Sequence, residues 1–181
     1  MKETEVKIID INKEDVIARL ESLGAKKIFE GILDGINFDF DDRRIVSKKD
    51  LLRLRREGDK VVLCFKKSLV EVGFKQTKET EIEVSDFDAC LKILESLGLK
   101  QLWRLVKYRT SYVLDNLRVE IEELKGEYEG VPPYIELESD DNPEALFAFV
   151  QKLGFKKSDC KAWTARDVLK HYGRLSTTSF K

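Results

Sequence analysis

Near the start of the chain, Glu3-Thr4-Glu5-Val6-Lys7 places two carboxylates and an ammonium group at every second position. Alternate side chains of a strand share one face, so Glu3, Glu5 and Lys7 would point the same way. The acid spacing returns at Glu79-Thr80-Glu81-Ile82-Glu83 and at Tyr134-Ile135-Glu136-Leu137-Glu138. Reading every second position of the other strand-like runs adds Arg53, Arg55, Lys66, Lys107, Arg109, Arg118, Glu120 and Glu122 to the charged face. The alternate positions, among them Val6, Ile8, Leu52, Leu54, Val119, Ile121, Ile135 and Leu137, are apolar. Paired carboxylates suit a hard cation such as Mg²⁺ or Mn²⁺, which shares its shell between protein oxygens, phosphate oxygens and water. The planar fork of Arg and the point charge of Lys suit the phosphate oxygens themselves. Together these residue types describe a clamp for a triphosphate and a metal ion.

A sheet with one solvated face gives the same alternation. Three details weigh against it. The charged positions are almost free of Ser, Thr, Gln and Asn; acids and bases are segregated onto different strands; and like charges crowded on one face repel unless something bridges them. A cation would bridge the acids and a polyanion the bases.

The elements that must position these groups can be read from the apolar periodicity. Leu20-Glu21-Ser22-Leu23-Gly24, Leu94-Glu95-Ser96-Leu97-Gly98 and Val150-Gln151-Lys152-Leu153-Gly154 each end an amphipathic helix on a glycine, the usual helix terminator. The helices are expected over roughly 13–23, 86–97 and 143–153, each preceded by one of the acidic strands. Further strands are expected at Ile36–Phe40, Leu51–Arg56, Val61–Lys66, Leu105–Leu114 and Leu117–Glu123, with Asp115-Asn116 as a hairpin turn. Residues 41–50, 67–78 and 125–133 read as loops. Arg43, Arg44, Lys48, Lys49, Lys67, Lys75 and Lys78 on the first two could close over an anion, or simply be solvated. About eight strands and three or four helices follow. The expected fold is α+β: a closed, mostly antiparallel barrel with a charged lumen, its apolar face covered outside by helices. One domain spans 1–173, and 174–181 reads as a loose tail.

Composition narrows the chemistry further. The 181 residues are 42% hydrophobic and 37% charged, with a net charge of -1. Such a balance argues against nucleic acid or a membrane surface as partner. Cys64, Cys90 and Cys160 lack metal-site spacing, and no apolar run reaches the length of a membrane span, so a cytoplasmic protein without zinc is expected. His171 is the single histidine, which excludes Ser-His-Asp and Cys-His machinery. The oligomeric state, a homodimer included, is left open.

Glu3-x-Glu5-x-Lys7 resembles the opening signature of the CYTH family, the triphosphate tunnel metalloenzymes. Phe38-Asp39-Phe40, Leu52-Arg53-Leu54-Arg55, Phe65-Lys66, Glu79-x-Glu81, Arg109-Thr110-Ser111-Tyr112, Leu117–Glu122 and Tyr134–Glu138 follow in the family's order, over roughly residues 1–165. The resemblance implies that Glu3, Glu5, Glu136 and Glu138 hold metal, and that Lys7, Arg53, Arg55, Lys66 and Arg109 hold phosphates. It implies that Glu120 and Glu122 supply a further metal ligand where the family more often has Asp. Glu79 and Glu81 would line the same tunnel beside the substrate, and Lys161 is a candidate basic residue over its mouth. The family includes class IV adenylyl cyclases as well as inorganic and thiamine triphosphatases. The helix-Leu-Gly spacing, the Phe38-Asp39 segment and the length resemble the cyclase branch, with ATP as substrate. A triphosphatase acting on tripolyphosphate, nucleotides or thiamine triphosphate and a non-catalytic polyphosphate-binding module are the alternatives. No base pocket can be assigned; Phe38, Phe74, Tyr128 and Trp163 are bulky residues near loops whose simpler role is packing.

Overall fold

A computed structural model describes residues 2–69, 74–140 and 142–175. Its strands are β1 (Lys2–Ile8), β2 (Lys26–Asp39), β3 (Leu51–Glu57), β4 (Lys60–Leu69), β5 (Lys75–Glu83), β6 (Lys100–Leu114), β7 (Leu117–Lys125) and β8 (Tyr134–Asp140). The helices are α1 (Lys13–Ser22), α2 (Phe87–Ser96), α3 (Pro143–Lys152) and α4 (Ala165–His171). The strands close into a barrel in the order β1-β5-β4-β3-β2-β6-β7-β8, and every neighbouring pair is antiparallel. Closure leaves no exposed sheet edge.

Local chemistry explains where the helices start and stop. Asn12, Asp86 and Asn142 each accept a hydrogen bond from the backbone N–H three residues on, capping α1, α2 and α3. Gly24, Gly98 and Gly154 then turn the chain at φ of 81°, 90° and 90°, a conformation cheap only for glycine. The apolar strand face points outward, as expected, and the helices cover it. Val6, Ile8, Val119, Ile121, Ile135 and Leu137 pack against Val16 and Leu20 of α1 and Leu146, Phe149 and Val150 of α3. Ile36, Phe38 and Leu54 pack against Phe87, Cys90 and Leu94 of α2. Each such buried side chain contributes on the order of 1.5–3 kcal/mol.

A third cluster lies at one end of the barrel. Tyr134 and Leu124 continue the lumen-facing register of Glu136 and Glu122, and meet Tyr128, Val131, and Val168 and Leu169 of α4. Phe38, Tyr128, Trp163 and Phe74 all belong to these clusters or pack on them, which fits the packing role expected for them.

Several strands exceed their predicted limits. β2 begins at Lys26 rather than Ile36, and β6 at Lys100 rather than Leu105. A register shift between Lys27 and Phe29, with Gly31 and Gly35 on the strand, breaks the alternation that would have revealed β2. Most of the predicted 67–78 loop is instead the paired ends of β4 and β5, with 70–73 outside the described residues. The 41–50 segment includes a short 3-10 turn at Val46–Lys48 and is tied to the barrel by Asp39, which is fully buried. The Asp39 carboxylate accepts from the backbone N–H groups of Phe40, Ile45 and Val46 at 2.8, 3.0 and 2.8 Å. Arg174 donates from its backbone N–H to the Leu169 carbonyl at 2.8 Å, and Leu175 packs on the third cluster. Residues 176–181 of the predicted tail lie outside the described residues. Among the described residues no helix is long and apolar enough to cross a membrane.

Candidate active site

Cross-strand register brings the charged positions together inside the barrel. Glu5 lies opposite Glu138, Lys7 opposite Glu136, Glu120 opposite Glu136, Arg109 opposite Glu122, and Lys66 opposite Glu79. The lumen has two unlike walls.

On the wall formed by β1, β8, β7 and β6, nearly every charge is matched. Lys7 bridges Glu5 and Glu136, the latter at 3.1 Å. Lys107 reaches Glu122 Oε1 at 2.5 Å. Arg109 donates to Glu122 through Nε at 2.7 Å and through its second terminal nitrogen, and also approaches Glu136 at 3.3 Å and Glu120 at 3.4 Å. Ser111 donates to Glu120. Lys75, from β5, reaches Glu5 Oε2 at 2.9 Å. Burial alone would push the Glu5 and Glu136 carboxyls up, but Lys7 and the neighbouring cations outweigh it: Glu5 is held down at about 2 and Glu136 well below the usual carboxylate range.

On the β3–β4–β5 wall the bases have donors to spare. Arg53 makes no ion pair among the described residues, and the buried Nε atoms of Arg53 and Arg55 find no hydrogen-bond partner. Arg55 pairs with Glu57 at 2.8 Å and lies 3.7 Å from Glu81; burial and the adjacent Arg53 lower its pKa. Lys66 pairs with Glu79 and lies 3.7 Å from Glu3. Gly35 of β2 lets these chains lie close: a Cβ there would be 3.3 Å from Arg53 Cδ and 3.4 Å from Arg55 Cβ.

The seam between the walls is where acids crowd without enough cations. Burial, then the neighbouring Glu138 carboxylate, pushes Glu3 up to about 9, and Glu3 shares a hydrogen bond with Glu79. Glu138 makes no ion pair among the described residues; burial and the like charges of Glu5, Glu120 and Glu136 push it up to about 7. Carboxyls that retain protons because they are buried beside like charges are those a divalent cation would favour most, since it displaces the protons and bridges the acids. An all-oxygen donor set fits Mg²⁺ or Mn²⁺. Glu3 and Glu138 would hold such an ion, with Glu5 next to both. Another group, Cys64 with Glu79 and Glu81, has one ligand atom from each residue within 4.8 Å, but its thiol suits a soft metal better than Mg²⁺.

Of the predicted residues, Glu3, Glu5, Lys7, Arg53, Arg55, Lys66, Glu79, Glu81, Arg109, Glu120, Glu122, Glu136 and Glu138 fall on the lumen-facing register. Lys161 is joined to Lys7 by two backbone hydrogen bonds of 2.8 Å, while its ammonium group points at the Ser158 carbonyl, 3.4 Å away, rather than at an acid. Sequence reading placed Lys75 on a loop that could close over an anion, whereas it stands on β5 and meets Glu5; it missed Ser111, which carries no charge to mark it.

A closed antiparallel barrel with carboxylates, ammonium groups and guanidinium groups facing its lumen defines a tunnel protein built for a charged ligand. A CYTH domain model matches residues 1–167, so the chain belongs to the CYTH family. CYTH tunnel enzymes act on triphosphates and depend on a metal. A protein of Methanocaldococcus jannaschii named "Putative adenylate cyclase" is 27% identical over 138 residues, 76% of this chain and 77% of that one. The solved PH1012 protein of Pyrococcus horikoshii is 25% identical, with a TM-score of 0.77 over 92% of this chain and 98% of its own. A conserved hypothetical protein from Pyrococcus furiosus, 24% identical, shares the fold at a TM-score of 0.76 over 92% and 99%.

Proposed function

We propose that this protein is a metal-dependent adenylyl cyclase, converting ATP to cyclic AMP and pyrophosphate within the barrel. The observation that carries the triphosphate part of this reading is the unspent donor capacity of Arg53 and Arg55 across the lumen from the crowded acids Glu3 and Glu138. The name of the M. jannaschii relative supports the choice of reaction. Arg53, Arg55 and Lys66 grip phosphate oxygens, the guanidinium groups as forks and the ammonium as a point charge. Glu3, Glu5 and Glu138 hold the divalent cation. When bound, that cation lowers the pKa of the attacking hydroxyl and neutralises charge developing on the phosphate. Lys7 and Arg109, already saturated by carboxylates, keep Glu5, Glu120, Glu122 and Glu136 in place. The ribose 3′-oxygen forms its bond to the α-phosphorus as the bond from that phosphorus to the bridging oxygen breaks; pyrophosphate leaves and the hydroxyl proton is released.

Incubation of the purified protein with ATP and Mg²⁺ or Mn²⁺, followed by chromatographic separation of nucleotides, tests the proposal. Cyclic AMP and pyrophosphate in equal amounts are the expected result. ADP or free phosphate without cyclic AMP overturns the cyclase in favour of a triphosphatase. Tight tripolyphosphate binding with no product from any triphosphate indicates a binding module.

A further inference from the structure

Where the matched wall meets the apolar end of the barrel, two buried polar atoms stand on directly paired residues. Tyr134 of β8 lies opposite Glu122 of β7, and both residues are fully buried. Side chains of such a pair leave the sheet on the same face, with Cβ atoms about 5 Å apart. The Tyr134 ring is fixed among Leu124, Val131, Val168 and Leu169, yet its hydroxyl has no hydrogen-bond partner among the described residues. Glu122 Oε1 takes its contacts from Lys107 and Arg109, whereas its Oε2 has none. A buried polar atom left unpaired costs about 1–3 kcal/mol, and here two belong to directly paired residues.

The chemistry of the two orphans specifies what joins them. The phenol must donate and the carboxylate must accept, so a group that does both in the opposite sense satisfies them at once. A phosphate would set its negative charge against the Glu122 carboxylate in a buried site, and a metal ion cannot accept from the phenol. Burial of both residues excludes anything as large as a ribose. We propose that Tyr134 and Glu122 hold one buried water at the inner end of the tunnel, accepting from Tyr134 Oη and donating to Glu122 Oε2. The Lys107 ammonium, which has three N–H groups and spends one on Glu122, can supply the further partner that buried waters usually have. Tyr134 is then a positioning residue. Through the water it fixes the Glu122 carboxylate, which orients Lys107 and Arg109, and through Arg109 it steadies Glu120 and Glu136. The functional consequence rests on the phosphoryl-transfer reading; the water itself does not.

Two measurements test this separately. A crystal structure of the full chain at about 1.5 Å should show a water within hydrogen-bond distance, about 3 Å, of both Tyr134 Oη and Glu122 Oε2. A direct phenol–carboxylate bond, or no ordered atom at that position, overturns the proposal whatever the protein's activity. Tyr134→Phe keeps the ring and its packing. Turnover of the triphosphate substrate is expected to fall about tenfold with KM changed less than about twofold, the signature of a lost positioning contact. Unchanged turnover together with an equal or higher Tm makes Tyr134 a packing residue only and overturns the positioning role. If the protein turns over no triphosphate, the crystallographic arm still decides for or against the water.

Discussion

The two walls of the barrel carry similar residue types and use them differently. On the β6–β7–β8–β1 side, Lys7 and Arg109 each sit on two or more carboxylates and have little left to offer a ligand. On the β3–β4–β5 side, the buried Nε–H groups of Arg53 and Arg55 have no partner among the described residues. A basic residue in a tunnel is therefore not automatically a phosphate ligand: the first wall spends its cations on internal carboxylates, and under the proposed function the second turns its spare donors to an anion. Buried ion pairs give weak net stabilisation but are costly to break, because the surviving partner is left charged in a poor solvent. Spare donors cost something at rest and repay it when an anion arrives.

Swapping one arginine for alanine on each wall gives the largest contrast. Arg109→Ala removes the cation shared by Glu120, Glu122 and Glu136, leaving them only Ser111, Lys107 and Lys7, and should destabilise the fold by about 3 kcal/mol, read as a lower urea midpoint. Arg53→Ala should leave the midpoint unchanged or slightly higher, while tripolyphosphate affinity measured by calorimetry drops about thirtyfold, some 2 kcal/mol. A stable Arg109→Ala protein that has lost only ligand affinity would erase the distinction between the walls.

A smaller effect should come from the seam. The folded Glu138 carboxyl titrates near 7 rather than at its ordinary 4.5, so between these values the folded state binds more protons than the unfolded one. Stability must then fall as pH rises through that window, by roughly 1–3 kcal/mol, with Glu3 extending the decline towards 9. Glu5 acts in the opposite sense, its contribution being present above 4.5 and lost as pH falls towards 2. Denaturation midpoints across pH 4.5–7 should show the decline, Glu138→Gln should make it shallower because only Glu3 then contributes, and saturating Mg²⁺ should flatten it in the parent protein. A flat parent profile would mean that the seam is not crowded.

The smallest change is Gly35→Ala. Its methyl group would press on Arg53 Cδ and Arg55 Cβ, at a cost of about 1 kcal/mol and about threefold in triphosphate affinity. An unaltered affinity would show that the arginines of the donor-rich wall do not depend on that close approach.

What the sequence revealed followed from how local the signal was. Helix C-terminal ends were legible because a terminating glycine lies within one turn of the residues it serves, as at Gly24. The outward apolar face and inward charged face were legible because they need only a period of two. The first half of β2 was not, since Gly31 and Gly35 remove side chains from the pattern and the strand is fixed by its long pairing with β6. The charged residue types of the site could be named in advance, but not who pairs with whom. That Arg109 is absorbed by Glu122 while Arg53 makes no ion pair among the described residues depends on strand register across the barrel, which alternation within one strand cannot specify. Asp39 looked like part of a motif; its role in tying down the 41–50 segment is visible only once the backbone donors of Ile45 and Val46 are seen around it.

The closing seam also dictates when the molecule can become itself. β1 is flanked by β5 and β8, so Glu5 meets Lys75 on one side and Glu138 on the other. As the chain emerges from the ribosome, its first acidic strand must wait for its last one, while the local helices can form and dock earlier. Pairings so distant in sequence slow folding and leave the β8 side of the opening strand uncovered meanwhile. A truncated chain ending before β8 would carry Glu3, Glu5, Arg53 and Arg55 and still have no clamp.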